Sequence, residues 1–269
     1  MSGRTTLLLM RHGQIIQEPT GPDGSRRYVG DRDIPLDETG RAQAREAARL
    51  LGGGCGSLPL PASLPIRLPV RLAVSSDLSR SVETASLALT GLAPRNPTPA
   101  DSGQGDICLE LSREPALREI SLGQWQGMYP AEVRQQYPGQ WEARGADLAG
   151  FRPPGGENFE DVAARAVPAL TAIARRLAAL GPASGGQADE DSAGEDRTAL
   201  VVAHAGVNLA ILCRLMDLPL QSALALPQDY GCLNVLVWNE EWQHMAVRAV
   251  NLLPAALGPD WARVYDIIG

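Results

Sequence analysis

Short apolar runs alternate along the chain with longer stretches in which apolar residues recur at helical intervals. Residues 5–10 are almost continuously apolar, the pattern of a strand buried on both faces, and polarity returns abruptly at Arg11-His12-Gly13. Residues 40–51 read as an Ala- and Arg-rich helix, and a breaker-rich stretch, 52–69, separates it from a second strand at 71–75. Helical spacing follows over 79–89, then a Pro-, Gly- and Ser-rich excursion over 91–115. Residues 117–129, with Trp125 among glycines, read as a loop over a sheet edge. Over 158–180 the residues Val162, Ala166, Leu170, Ile173 and Leu177 mark one helical face, with a kink expected at Pro168. Residues 181–196 are polar, glycine-rich and acidic, as in a solvated loop. A further buried strand, 199–203, ends at His204-Ala205-Gly206 and leads into a helix over 207–216; 232–238 and 245–250 read as the last two strands.

Strands alternating with helices imply right-handed crossovers, hence an α/β fold: a three-layer α/β/α sandwich around a mainly parallel sheet. The 269 residues read as one domain, 1–269, with loop insertions at 52–69, 91–115 and 181–196 and no repeat of fixed period. The first apolar run is too short for a signal peptide or a membrane span, and no later run reaches the length of a span. Four widely spaced cysteines, Cys55, Cys108, Cys213 and Cys232, form no C-x-x-C pair and fit reduced thiols in a cytoplasm.

Charge narrows the function. With 24 Lys+Arg against 31 Asp+Glu the net charge is −7, unlike a general nucleic-acid or membrane-surface binder. Every cation is Arg, so Schiff-base chemistry and the P-loop lysine are excluded, and what remains suits bidentate contact with phosphate. Only His12, His204 and His244 are present, which argues against a His-rich metal centre; His244 lies in a late strand without partner spacing and reads as structural.

In open α/β sheets ligands sit beyond the carboxyl ends of the strands, where both His12 and His204 fall. Arg11 adjoins His12, and Arg80 follows the second strand, so two guanidinia and two imidazoles converge on one rim. That set suits a phosphoryl group, its oxygens held by Arg forks while an imidazole attacks phosphorus in line. Glu119, in Arg118-Glu119-Ile120, is the candidate general acid, and Trp125, six residues on, the candidate for stacking on a ring-bearing leaving group.

These blocks in their order resemble the histidine phosphatase superfamily, also called phosphoglycerate mutase-like. The matching residues are Leu9-Met10-Arg11-His12-Gly13-Gln14, Tyr28-Val29-Gly30, Ile34-Pro35-Leu36, the block from Thr39 to Ala44, the block from Ser75 to Ala85, the block from Glu119 to Gly127, Pro154-Gly155-Gly156-Glu157 and His204-Ala205-Gly206-Val207. The resemblance implies transient phosphorylation of His12, with Arg11, Arg80 and His204 on the equatorial oxygens and Glu119 as acid, then as base for water. It also implies substrate contacts at Gly13, Gln14 and Ala205, a small phosphomonoester as partner, and no metal or cofactor.

Two positions depart from the family pattern: Ile15 and Glu18 stand where many relatives have Thr and Asn, leaving Gln14 or Gln17 to supply that phosphate contact. Mutases of the family resemble one another in a Glu-Arg-His-Tyr-Gly sequence at the acid, whereas Glu119-Ile120-Ser121-Leu122-Gly123 resembles the phosphatase branch. The run Gln228-Asp229-Tyr230-Gly231-Cys232 is similar to alpha-ribazole phosphatases, which makes alpha-ribazole 5′-phosphate an expected substrate. A cofactor-dependent phosphoglycerate mutase and a non-catalytic phosphate-binding relative remain alternatives, as do a monomer and a homodimer. Residues 189–194 mimic the start of a calcium loop, but Leu200 occupies the position of its closing Glu.

Overall fold

The computed structural model describes residues 4–52, 70–92, 109–180 and 196–254. Most of the three expected insertions, the calcium-loop look-alike, Cys55 and Cys108 lie outside the described residues. In chain order the elements are β1 (Thr5–Arg11), α1 (Glu38–Leu51), β2 (Val70–Ser75), α2 (Ser79–Leu89), β3 (Leu111–Arg113), α3 (Pro130–Gln136), α4 (Pro138–Ala146), α5 (Phe159–Ala178), β4 (Arg197–Ala203), α6 (Ala205–Leu215), β5 (Leu233–Asn239) and β6 (His244–Leu252).

The strands form one six-stranded sheet in the order β3-β2-β4-β1-β5-β6. β3, β2, β4 and β1 run parallel, and the antiparallel strands β5 and β6 complete the far side. Successive side chains of β1 face opposite ways, so its apolar run divides between two cores. Leu7 and Leu9 join Val162, Ala166, Leu170 and Leu177 of α5 and Val207 and Ile211 of α6. Leu8 and Met10 join Ala47, Leu50 and Leu51 of α1 and Ala85 and Ala88 of α2. This is the three-layer α/β/α arrangement expected.

Local chemistry sets the helix starts. Asp37 caps α1 by accepting from the Gly40 amide at 2.7 Å. Asn158 and Asp161 form a reciprocal capping box at α5, which runs as one helix through Pro168. One feature of the expected excursion differs, and another falls where the sequence predicted no element. Within 91–115 the short strand β3 pairs with β2, and beyond Tyr129 the chain enters two short helices, each with proline in its first turn.

The sheet places its reactive residues by register. β1 and β4 are paired to their ends, the His12 amide donates to the Ala203 carbonyl at 3.0 Å, and the Ser76 amide to Val202 at 2.8 Å. The chain after His12 then crosses the first turn of α1 at backbone contact: a Cβ on Gly40 would stand 2.1 Å from the Gln14 carbonyl oxygen, and one on Gly13 2.3 Å from that of Gly40. Substituting Gly40 by Ala forces these backbones apart, and urea denaturation should show a loss of about 1–3 kcal/mol; an unchanged midpoint would show that the contact has slack.

Candidate active site

Arg80, in the first turn of α2, is only 1% exposed. Its Nη1 donates to the Arg32 carbonyl at 2.5 Å and its Nη2 to the Gly30 carbonyl at 3.1 Å. Gly30 has φ +55°, and a Cβ there would meet the Gln126 Oε1 at 2.5 Å, so glycine is required for this carbonyl to face the guanidinium. The remaining Nε–H is shared between His12 Nε2 and His204 Nδ1, each at 3.3 Å.

That sharing fixes both imidazoles. His12 Nδ1 lies 2.7 Å from the Gly13 carbonyl and donates to it, leaving the Nε2 lone pair toward Arg80. His204 Nε2 lies 2.9 Å from Ser76 Oγ and 3.3 Å from Ser81 Oγ, leaving Nδ1 on the Arg80 side. The rings meet edge to face, with centroids 5.0 Å apart. Burial first, then the charges of Arg80 and Arg11, hold His12 well below the ordinary imidazole value of 6.5, while its bond to Gly13 acts in the opposite direction. Burial lowers His204 well below the same value, reinforced by His12, Arg80 and Arg11. Both are neutral at pH 7, so the His12 Nε2 lone pair is available as a nucleophile.

Arg11 closes another side of the site. Its Nη1 donates to the Gln228 carbonyl, its guanidinium lies 3.7 Å over the Tyr230 ring, and its buried Nε has no hydrogen-bond partner among the described residues. Tyr230 also stands 5.7 Å from the His12 ring. The loop bearing Tyr230 is anchored from behind by buried amides: Asn208 donates to Gln228, Gln228 to Asn234, and Asn234 to the Leu9 carbonyl.

Glu119 reaches the first turn of α6. One carboxylate oxygen accepts from the Ile120 amide at 2.9 Å and the other from the Gly206 amide at 3.2 Å. A Cβ on Gly206 would come within 2.5 Å of that carboxylate, which explains glycine in His204-Ala205-Gly206. The helix amides also give this corner of the site a positive end that favours anions.

One expectation changes. Trp125 is fully buried, stacked on Phe151 with centroids 5.2 Å apart, so it supports the loop and offers no face to a leaving group. The Gly13 amide donates to Thr84 Oγ1, and the Gly13 carbonyl accepts from His12 Nδ1. Gln14 donates its side-chain amide to Asp37 and Gln17 donates to the Ile15 carbonyl, while Glu18 forms a bidentate pair with Arg32. Ala205 is half-buried as the first residue of α6, and His244 is exposed at the start of β6, away from these contacts. Sequence reasoning missed Tyr230, Ser76, Ser81 and Thr84 as parts of the site, although each lies within a block it had marked.

Two measurements follow. Because folded His12 and His204 resist protonation while the unfolded chain takes up protons near 6.5, folding stability should fall as pH drops from about 6.5 toward the folded values; NMR titration of either imidazole with a midpoint at or above 6.5 would contradict this. Tyr230→Phe keeps the ring beneath Arg11, so calorimetry should give phosphate affinity near wild type, whereas Tyr230→Leu should lose about 1 kcal/mol, roughly fivefold.

Known proteins resemble this chain in sequence and in fold. The family described as histidine phosphatase superfamily (branch 1) matches residues 7–251. Glucosyl-3-phosphoglycerate phosphatase of Mycobacterium tuberculosis is 36% identical over 242 residues, spanning 89% of this chain and 86% of that protein. The solved structure of mycobacterial glucosyl-3-phosphoglycerate phosphatase with inorganic phosphate is 29% identical, covers 93% of this chain and 98% of that one, and has a TM-score of 0.61. The alpha-ribazole phosphatase of Shigella flexneri, at 22% identity with 91% of this chain and 96% of that chain covered, shares the fold with a TM-score of 0.63. No helix among the described residues is long and apolar enough to cross a membrane. With the family match spanning both strand-end histidines, the chain belongs to the histidine phosphatase superfamily, branch 1, and is a phosphatase acting on a small phosphorylated metabolite.

Proposed function

We propose that this phosphatase works through a phosphohistidine at His12, without a metal, on a phosphomonoester whose leaving group is a glycosylated glycerate of the glucosyl-3-phosphoglycerate kind. The observation that carries the mechanism is the shared Arg80 N–H, which aims the lone pairs of His12 Nε2 and His204 Nδ1 at one point. The relatives at 33% and 36% identity support the substrate class, and the burial of Trp125 removes the reason to expect a stacked ring in the leaving group.

His12 Nε2 attacks phosphorus, the bond to the ester oxygen breaks, and Glu119 gives its proton to that oxygen. Arg11 and Arg80 neutralise the equatorial oxygens, supplying as fixed guanidinia the charge stabilisation that the transition state requires. Ser76 and Ser81 hydroxyls can donate as well as accept, so His204 can exchange tautomer and present Nδ1–H to a phosphate oxygen. In the second half-reaction Glu119 takes a proton from water, which attacks phosphorus and releases His12.

Phosphate release with EDTA present should persist in the wild type and fall by about a thousandfold or more in His12→Ala. Labelled substrate should leave phosphate on His12, stable to alkali and labile to acid. A panel of glucosyl-3-phosphoglycerate, alpha-ribazole 5′-phosphate, 3-phosphoglycerate and p-nitrophenyl phosphate should rank the first highest in kcat/KM. Preference for alpha-ribazole 5′-phosphate would overturn the substrate assignment, and full activity in His12→Ala the mechanism.

A further inference from the structure

Arg165 lies on α5, about two turns beyond the Asn158 cap, with its guanidinium only partly exposed. A guanidinium carries five N–H donors in a rigid planar fork, and here each has an acceptor. Nε donates to Glu157 Oε1 at 2.8 Å, and Nη2 to Glu157 Oε2 at 2.9 Å. Nη1 donates to the carbonyls of Ala116 and Arg118 at 2.7 and 2.8 Å, and the second Nη2 proton reaches the Glu119 carbonyl at 3.2 Å. Three carbonyls within four residues are therefore gathered onto one cation.

Glu157 continues the clamp. Its Oε2 accepts from the Ser121 amide at 3.0 Å, and its own amide donates to the Ser121 carbonyl at 2.8 Å. Gly156 and Gly123 permit this close pairing, since a Cβ on Gly156 would stand 2.7 Å from the Ser121 carbonyl oxygen and one on Gly123 2.2 Å from that of Pro154. Pro154-Gly155-Gly156-Glu157 thus acts on the loop of Glu119. On the opposite side, Arg118 forms a bidentate pair with Asp77 after β2. The backbone from 116 to 121 is pinned on both sides of Glu119, whose carboxylate accepts from the Ile120 and Gly206 amides.

We infer that Arg165, with Glu157, is a positioning residue for the acid step: it fixes the Glu119 backbone so that the carboxyl meets the departing ester oxygen. The inference rests on the role assigned above to Glu119. Lys in place of Arg165 carries at most three donors from a point charge and cannot reproduce the fork, so the loop keeps its charge partner and loses its registration.

The readout is leaving-group dependence, because kcat/KM reports events up to phosphorylation of His12 and only a poor leaving group needs the acid. Arg165→Lys should lower kcat/KM on 3-phosphoglycerate roughly tenfold or more, while p-nitrophenyl phosphate, with a good leaving group, loses less than about threefold. Glu119→Gln should show the same contrast more strongly, and the double variant should be no slower than Glu119→Gln alone. Inorganic phosphate affinity should stay at the wild-type value. Equal losses on both esters, or additive losses in the double variant, would overturn the inference while leaving Glu119 as the acid. No contrast in Glu119→Gln itself would overturn the acid assignment and this inference together. If Arg165→Lys does not fold, Glu157→Gln reads the same ratio with the same expected direction.

Discussion

The site depends on one buried cation. Arg80 is shut away from water, and its burial is tolerable because two backbone carbonyls and two imidazole nitrogens replace its hydration. Burial lowers its affinity for a proton, opposed first by Glu119 and then by Asp33 and other acids, yet an arginine starts so high that it remains charged. That fixed charge adds to burial in keeping both histidines neutral, and a neutral imidazole is what nucleophilic attack on phosphorus needs. The cost is a crowded backbone, visible in the left-handed turn at Gly30.

The sheet makes this convergence possible. β1, β2 and β4 lie side by side and parallel, so Arg11, His12, Ser76 and His204 leave the same edge. The antiparallel β5 lies on the other side of β1, and the loop before it brings Gln228 and Tyr230 up to Arg11. Glu119 arrives from outside the sheet and needs an independent mount, which the α5 face provides through Arg165. Rigid strands thus fix Arg11, His12 and His204, while a clamped loop fixes Glu119, the proposed acid.

The parts of this design that are local in sequence were legible there. Apolar runs located β1, β2, β4 and β5 within a residue or two, and α2 at its observed ends, because a strand buried on both faces leaves a continuous apolar signature. Arg11, His12, Arg80 and His204 were readable because polarity switches at strand ends. β3 was not, since three residues in a Pro- and Ser-rich stretch carry no period, and α3 and α4 are short, polar and headed by prolines. Trp125 was misplaced because its polar and glycine neighbours look solvated, whereas Phe151, a tertiary partner, covers it. Arg165 gave no signal at all: its acceptors, on Ala116, Arg118, Glu119 and Glu157, lie apart from it in sequence and converge only in the fold.

A crystal structure of this protein with orthovanadate tests the convergence most directly. Vanadium should be bonded to His12 Nε2, with its equatorial oxygens held by Arg11, Arg80 and His204 and the apical oxygen opposite His12 facing Glu119. Vanadium bonded to His204, or seated away from Arg80 with His12 unengaged, would contradict it.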